Sequence, residues 1–203
     1  RDTEAISQWE RLSGSAEELE AFRYMEKAYS DLGYSTRLLF HDAYISLPVN
    51  SSFKADGRLF YSRTHSMSAS TGRKAVKGEI VWISEERLSL LQPGELSGKL
   101  AAVDGRAVYS SVSWAEKAGA LGVICIQEDP VRECIPSASW GSPDRRSLNL
   151  IPGIPVISVR ESEAAFLRTQ TGILGEIETE VDTRWKKIPL LIAEQTAKRK
   201  TEN

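Results

Sequence analysis

The sequence predicts a mixed α/β domain preceded by a helical extension. Three observations support this fold class. Apolar residues recur every three or four positions over residues 15–32, as in an amphipathic helix. Two short apolar runs, residues 99–104 and 122–126, flank a segment with helical character, which is typical of a strand–helix–strand unit. Residues 173–181 alternate apolar and polar side chains, which predicts a half-exposed strand with an acidic outer face.

Composition excludes several classes of function. The 203 residues are 41% hydrophobic and 27% charged, as in an average globular protein. A net charge of -2 gives no electrostatic case for binding nucleic acid or an anionic membrane. No apolar run reaches the roughly 18 residues of a membrane span. The charged start, residues 1–4, lacks the apolar stretch of a signal peptide, so we expect a cytoplasmic protein or a secreted one whose leader has been removed.

The N-terminal part is predicted to be a helix followed by a strand. Ser15 is the expected N-cap of the helix over residues 15–32, and Glu18, three residues later, completes a capping box. Residues 35–44 alternate in part and are predicted to form a strand. Pro48 is expected to end the apolar stretch that follows, because proline disrupts a strand interior.

The middle of the chain is predicted to be rich in strands. Short apolar groups at residues 59–61 and from Val76 onward predict two strands separated by a polar loop, residues 64–72. A β-rich run follows at residues 79–84. Residues 88–98 are predicted to be a connection that contains a Pro-Gly turn.

The next segment predicts a βαβ unit. Residues 99–104 form the first strand, and residues 122–126 form a second strand that is apolar on both faces. Residues 113–120 are predicted to be the helix between them, with Ser113 and Glu116 as its capping box. The two strands should therefore be parallel, with a right-handed crossover.

The C-terminal part is predicted to begin with a long loop, which strands and one short helix follow. That loop covers residues 128–152 and precedes an apolar strand at residues 154–159. A short helix is predicted at residues 161–169, before the alternating strand described above. A last apolar run, residues 188–193, is followed by a polar tail.

Few residues are candidates for chemistry. The chain has two histidines and two cysteines, whereas most hydrolytic metal sites and nucleophile–histidine sites use histidine. We therefore predict no catalytic residue and no metal ligand. His65 lies in a hydroxyl-rich loop, where a serine–histidine hydrolase is an open alternative. Cys125 is expected to be an inert core thiol. Cys134 is expected to be exposed, and a bridge to Cys125 or a contact with another chain is left open.

The long loop carries the candidate contact residues. Loops of this length are commonly functional or mobile. An exposed tryptophan with two arginines suits contact with a partner or an anionic group. We predict that Ser139, Trp140, Arg145 and Arg146 contact a substrate or a partner. The alternative is a surface loop held by Trp140 in a local pocket.

Several of these stretches together resemble the protease-associated (PA) domain. They are a "GK-apolar" strand at residues 98–103, an "A-x-x-A-G-A-x-G" unit at residues 115–124 and an "I-P-apolar-I-S" strand at residues 154–159. Flanking stretches resemble zinc aminopeptidases of the glutamate carboxypeptidase and transferrin-receptor type. These further stretches are residues 11–15, 32–34, 65–70, 78–81, 139–143 and 188–194.

The resemblance implies a PA-like mixed β-sheet, an open barrel or sandwich, flanked by short helices and preceded by a helical extension. It implies that residues 1–45 are the helix-and-strand lead-in of a peptidase domain. Residues 46–183 are then the PA domain, and residues 184–203 a return strand and polar tail. No zinc ligand of the family has a counterpart in this chain, so we expect no cofactor here and zinc only in a separate catalytic domain.

The function implied by the resemblance is non-catalytic. We expect this chain alone not to be an enzyme but to shape substrate access or protein contacts for a zinc-dependent exopeptidase. Its expected partners are the peptidase catalytic domain of the full-length protein, a peptide substrate or a second copy of the chain, and not nucleic acid. A free-standing protein-interaction module without a peptidase domain is the alternative. A reading frame that continues past Asn203 into a zinc-binding domain would separate the two.

Overall fold

The structure is a computed structural model that describes residues 2–72, 74–139 and 143–196. Internal contacts divide the chain into two compact units. Unit 1 comprises Arg1–Ile45 and Arg184–Asn203, and unit 2 comprises Ser46–Thr183. The predicted roles of these segments, as parts of a peptidase domain and as a PA domain, stay predictions.

Unit 1 contains helices α1 (Asp2–Ser7) and α2 (Ala16–Asp31). The helix predicted from the amphipathic pattern is confirmed as α2. Ser15 is its N-cap, and the Ser15 Oγ accepts the backbone N–H of Glu18 at 3.0 Å. The Glu18 carboxylate accepts the backbone N–H of Gly14 at 2.7 Å, so the side chains of both capping residues satisfy free donors at the helix start.

Two long strands, β1 (Ser35–Ala55) and β8 (Leu174–Glu194), each contribute residues to both units. Strand β1 continues through Pro48, the residue expected to end the apolar stretch before it. The neighbouring strand β2 (Arg58–Phe60) pairs with β1 only over Phe53–Ala55. Pro48 therefore lies beyond the end of β2, where its missing N–H removes no ladder bond on that side.

The remaining elements belong to unit 2. The strands are β2, β3 (Arg63–Thr64), β4 (Val76–Trp82), β5 (Lys99–Asp104), β6 (Gly122–Gln127) and β7 (Val156–Arg160), with the inner parts of β1 and β8. The helices are α3 (Glu85–Leu88), α4 (Tyr109–Lys117) and α5 (Glu161–Ala164), with 3₁₀ turns at Leu148–Leu150 and Ala165–Arg168.

The eight strands form one mixed sheet in the order β2-β1-β8-β4-β5-β6-β7-β3. Strands β4 to β7 are parallel, whereas β1 with β2, β3 with β7 and β4 with β8 pair antiparallel. Strands β2 and β3 stand at opposite ends of this order, yet only Tyr61 and Ser62 separate them in sequence. Three peptide steps span at most about 11 Å, so the sheet must curl until its two ends nearly meet. The predicted fold class, an α/β fold with an open barrel-like sheet, is confirmed.

The sheet buries apolar side chains on both faces. In β5, Leu100 and Ala102 join a cluster that draws on seven strands and fills the inside of the curl. Ala101 and Val103, which alternate with them, join a second cluster beneath α3 and α4. This is why β5 and β6 read as continuous apolar runs. The parallel pairing predicted for these two strands is confirmed, with Leu100 opposite Gly122.

The start of the crossover helix differs from the prediction. Helix α4 begins after Val108, which makes no side-chain cap, so Ser113 lies inside the helix. The carboxylate of Glu116 instead accepts the backbone N–H of Gly153 at 2.8 Å. The predicted capping box is therefore wrong, because burial of Val112 and Ala115 against the sheet extends the helix backward.

The predictions for the end of unit 2 hold with small shifts. The apolar strand predicted from residue 154 begins at Val156, and the predicted short helix is one α-turn followed by a 3₁₀ turn. The alternation predicted for residues 173–181 is confirmed: Ile177 and Thr179 are buried, whereas Glu178 and Glu180 are exposed. Among the residues that the structure describes, no helix is long and apolar enough to cross a membrane.

Candidate functional site

The predicted contact residues lie in the β6–β7 loop, residues 128–155. Ser139 is buried, and its backbone N–H donates to the Ser137 Oγ at 3.1 Å. The Ser137 hydroxyl in turn donates to the Leu150 carbonyl at 3.2 Å, which ties two parts of the loop together. Trp140 lies outside the described residues. The contact role predicted for Ser139 and Trp140 stays a prediction.

Arg145 and Arg146 are exposed at a tight turn of the same loop. The Asp144 carboxylate accepts the backbone N–H groups of Arg146 and Ser147, each at 2.9 Å. The bonds from Ser147 and Arg146 lower the pKa of Asp144, the backbone N–H of Ser147 having the largest effect. Neither arginine forms an ion pair with a described residue. The turn therefore exposes two guanidinium groups that are not neutralised by a neighbouring carboxylate.

A crevice of about 520 Å³ opens where the parallel strands β5 and β6 end. Residues from the segments after three parallel strands line it, since carboxyl ends of parallel strands meet at one edge of a sheet. Asp104 and Arg106 come from the end of β5, Arg132 from the β6–β7 loop, and Glu161 and Arg168 from the segment after β7. No sequence pattern indicates this crevice, because its residues are far apart in sequence.

The charges of the crevice are only partly neutralised. Arg168 pairs with Asp104 at 2.8 Å and with Glu161 at 2.7 Å, and these bonds, the one to Asp104 first, raise its pKa. The side chains of Arg106 and Arg132 make no ion pair within the described ranges. A guanidinium group can bind a carboxylate or phosphate through paired hydrogen bonds. Glu128 and Asp129 also line the crevice, so its four carboxylates outnumber its three guanidinium groups.

His65 is fully buried in unit 2, with 0% of its surface exposed. Its Nε2 lies 2.8 Å from the Oγ of Ser158 in β7. Its Nδ1 accepts the backbone N–H of Cys134 in the β6–β7 loop at 3.1 Å. The Nε2 of Gln127, the last residue of β6, also donates to the Ser158 Oγ, at 2.6 Å. The polar loop predicted at residues 64–72 thus places its histidine in a buried hydrogen-bond network.

These bonds determine the protonation of the His65 ring. An Nδ1 that accepts a hydrogen bond carries no proton, so the neutral ring carries its proton on Nε2 and donates it to Ser158. Burial, and then the charge of Arg63, lower the pKa of His65 to about 4. A ring in this tautomer cannot take the Ser158 proton as a general base, so the arrangement does not support the serine–histidine alternative.

The remaining candidates from the sequence are the two cysteines. Both cysteines are free thiols, and burial raises the pKa of Cys125, as expected of an inert core thiol. Cys134 is half-buried and its backbone, not its sulfur, contacts His65. Within residues 2–72, 74–139 and 143–196, no three side chains of His, Cys, Asp or Glu converge as a metal site would require.

The comparisons with known proteins point to one fold. No protein family and no curated protein matches the sequence. An aminopeptidase from Aneurinibacillus sp. strain AM-1 matches the structure with a TM-score of 0.75 and 20% identity, over 98% of this chain and 48% of that one. BSAP, a zinc aminopeptidase from Bacillus subtilis, matches with a TM-score of 0.70 and 19% identity, over 98% of this chain and 47% of that one.

A peptidase M28 precursor from Shewanella amazonensis SB2B matches with a TM-score of 0.66 and 15% identity, over 94% of this chain and 48% of that chain. At these identities the likeness establishes a shared fold. The chain spans about half the length of the peptidases that it matches. The predicted resemblance is therefore confirmed for the fold, which is related to that of zinc aminopeptidases.

Proposed function

We propose that this chain is the non-catalytic region of a zinc-aminopeptidase-type protein, with residues 46–183 as its PA domain. The observation that carries the proposal is the fold shared with the aminopeptidase from Aneurinibacillus sp. strain AM-1, over 98% of this chain but 48% of that enzyme. In this proposal the region shapes the access of a peptide to a catalytic domain that supplies the zinc. The finer assignment to the glutamate carboxypeptidase and transferrin-receptor type belongs to the same proposal.

The exposure of apolar side chains in unit 1 supports a partner domain. Among its described residues only Ala21, Ala43 and Pro189 are buried. Large apolar side chains stay exposed, among them Phe40 at 50% and Trp185 at 54%. A sheet in an α/β protein buries apolar side chains on its faces against further elements. Unit 1 therefore has the surface expected of a segment that packs against a peptidase domain.

One face of β1 in unit 1 is the proposed contact surface. Phe40, Asp42 and Tyr44 share this face, since side chains two apart along a strand point the same way. Across from them, Trp185 packs on the Tyr44 ring with centroids 5.4 Å apart, and Lys187 pairs with Asp42 at 2.8 Å. The surface is thus aromatic with a small charged pair, which is the composition of a protein interface rather than of a free surface.

The peptide contacts are proposed to come from unit 2. Arg106 and Arg132 in the crevice and Arg145 and Arg146 in the β6–β7 loop are unpaired cations among the described residues. Carboxylate groups of a peptide are ligands that such side chains bind with two parallel hydrogen bonds. Together with Trp140, whose ring can stack on an apolar side chain, they form the proposed access surface.

The non-catalytic role is tested with the purified chain. Incubated with zinc and leucine p-nitroanilide, the chain is expected to release no more nitroaniline than a buffer control. Hydrolysis that co-purifies with the folded chain and is removed by a chelator would contradict the proposal.

The access role is tested in the full-length protein. Trp140→Ala and the double change Arg145→Gln with Arg146→Gln are expected to raise KM severalfold with little change in kcat, because the lost contacts hold substrate and transition state alike. Arg87→Gln, an exposed arginine of α3, is the matched control. Unchanged KM in both variants would contradict the access role. A full-length protein without any peptidase activity would favour the alternative, a protein-interaction module.

A further inference from the structure

His65 lies where three segments of unit 2 meet. Its own segment follows β3, its Nε2 bonds Ser158 of β7, and its Nδ1 accepts the N–H of Cys134 in the β6–β7 loop. We propose that His65 is an acid-sensitive latch, which holds the segment of the β6–β7 loop around Cys134 against the sheet when its ring is neutral and releases this segment when the ring is protonated. Its direct bond to the loop therefore depends on the protonation state of one buried side chain.

Protonation breaks only one of the two hydrogen bonds that the His65 ring makes. A proton added to Nδ1 converts an acceptor into a donor, so that it faces the N–H of Cys134 across 3.1 Å with no acceptor between them. Two buried donors that face each other lose the hydrogen bond and leave both groups unsatisfied. On the other side, Nε2 already donates to Ser158, and protonation leaves that bond in place. The bond to Cys134 is therefore the first to break, and water reaches the ring once that part of the loop has moved away.

The charged groups around the ring do not favour the protonated form. Arg63, two residues before His65, adds a positive charge. Glu133, next to Cys134, accepts the Ser66 hydroxyl at 2.6 Å and pairs with Arg63 at 3.5 Å, so both of its carboxylate oxygens are paired with groups other than the ring. The partner of the ring on β7 is an uncharged hydroxyl. The Cys134 thiol donates to the Arg132 carbonyl at 3.7 Å rather than to the ring.

The sign of the pH dependence follows from the two forms of the loop. In the closed form burial, aided by Arg63, holds the pKa of His65 at about 4. In the open form the ring returns to water and to its ordinary pKa of about 6.5. Between these values only the open form gains a proton, so lowering the pH favours opening, by about tenfold per pH unit near pH 5 and about 100-fold in total between pH 7 and 4.

The consequence for recognition rests on the proposed function, whereas the latch itself does not. Arg145 and Arg146 lie in the same loop as Cys134, so opening at Cys134 would change how the proposed access surface presents these two of its four unpaired arginines. The latch is measured on the chain alone, by exchange of single amides. Its failure would leave the proposed peptidase role untouched, and failure of that role would leave the latch measurable.

The test is amide hydrogen exchange of the chain between pH 7 and 4, with rates corrected for the intrinsic pH dependence of exchange. The Cys134 N–H, bonded to the ring, is expected to lose about 100-fold in protection. The Ile80 N–H, bonded to the Ile173 carbonyl at 2.8 Å inside the barrel, should keep its protection. Constant protection at Cys134, or a parallel loss at Ile80 that signals global unfolding, overturns the latch.

Three variants test which residue causes the loss of protection at Cys134. His65→Gln keeps hydrogen-bonding groups but does not titrate, so the protection of Cys134 should no longer depend on pH. Glu133→Gln removes the nearby carboxylate, and His41→Gln removes the exposed histidine of β1. Both should keep the wild-type loss, and its disappearance in Glu133→Gln would assign the effect to Glu133 instead.

A measurement on the unchanged chain covers the case in which His65→Gln does not fold. The nitrogen chemical shifts of the His65 ring should show a proton on Nε2 alone at pH 7. A proton on Nδ1 at that pH would overturn the proposal.

Discussion

Units 1 and 2 belong to one chain but differ in how they bury their apolar residues. Unit 2 has two apolar clusters, one on each face of its sheet, and side chains as large as Phe53 and Ile124 are fully buried in it. Among the described residues of unit 1, the buried ones are Ala21, Ala43 and Pro189, while Phe40 and Trp185 are half exposed. The same strands, β1 and β8, thus pass from a core-forming environment to an exposed one.

The difference shows where the folding energy of this chain lies. Each large apolar side chain that is fully buried contributes about 1.5–3 kcal/mol, and unit 2 holds many of them. Unit 1 has helical propensity and helix caps but little buried area, so its elements need packing from elsewhere to be stable. We therefore expect unit 2 to unfold cooperatively and unit 1 to open at lower free energy.

The largest expected effect is in the core of unit 2. Ile124→Ala removes a fully buried side chain from the inside of the curled sheet and should lower the free energy of unfolding by about 4 kcal/mol. Phe40→Ala, a larger truncation in unit 1, should change it by less than about 0.5 kcal/mol because the ring is half exposed. Urea unfolding of both variants measures the contrast. Equal losses would show that unit 1 also carries core energy.

A smaller effect is expected at Gly175 of β8, which the side chains of Ile80 and Leu100 cover. A Cβ at Gly175 would lie 2.7 Å from side-chain atoms of both Ile80 and Leu100. Gly175→Ala should therefore overpack the core and cost about 2 kcal/mol. Leu174→Ala at the neighbouring exposed position is the matched control and should cost little. If thermal unfolding shows Gly175→Ala to be neutral, the inside of the sheet is less tightly packed than the structure indicates.

The smallest effect is expected in unit 1. Ser15→Ala removes the hydroxyl that caps α2 and should destabilise the helix by about 1 kcal/mol. Because unit 1 opens locally, hydrogen exchange of the α2 amides is the sensitive measurement, with the β6 amides unchanged. Ser30→Ala, an exposed change in the last turn, serves as the control. An equal loss of protection in the α2 and β6 amides would show that the two units unfold together.

Local signals were reliable where local contacts decide the structure. At Ser15 the hydroxyl and the N–H of Glu18 meet within one helical turn, so the cap could be predicted from four residues. The same signal failed at Ser113, since packing of Val112 and Ala115 against the sheet starts that helix earlier. A capping pattern is worth about 1 kcal/mol, which burial of two or three side chains outweighs.

The candidate site shows more strongly that local sequence signals do not reveal contacts between distant residues. The exposed arginines of the β6–β7 loop could be proposed from the loop alone. The crevice could not, since Asp104 and Arg168 are 64 residues apart and meet only when the parallel strands place their ends together. Nor could the burial of His65, whose partners Ser158 and Cys134 lie 93 and 69 residues away.

By itself the sequence determined the α/β class, the amphipathic helix α2 and the parallel pair β5–β6, because residue periodicity and helix caps act over a few neighbouring positions. Only the tertiary structure decided that the sheet curls, that strand ends gather charges into a crevice and that His65 is neutral and buried. Those features depend on residues distant in sequence, whose approach is set by the packing of the whole sheet and not by local preference.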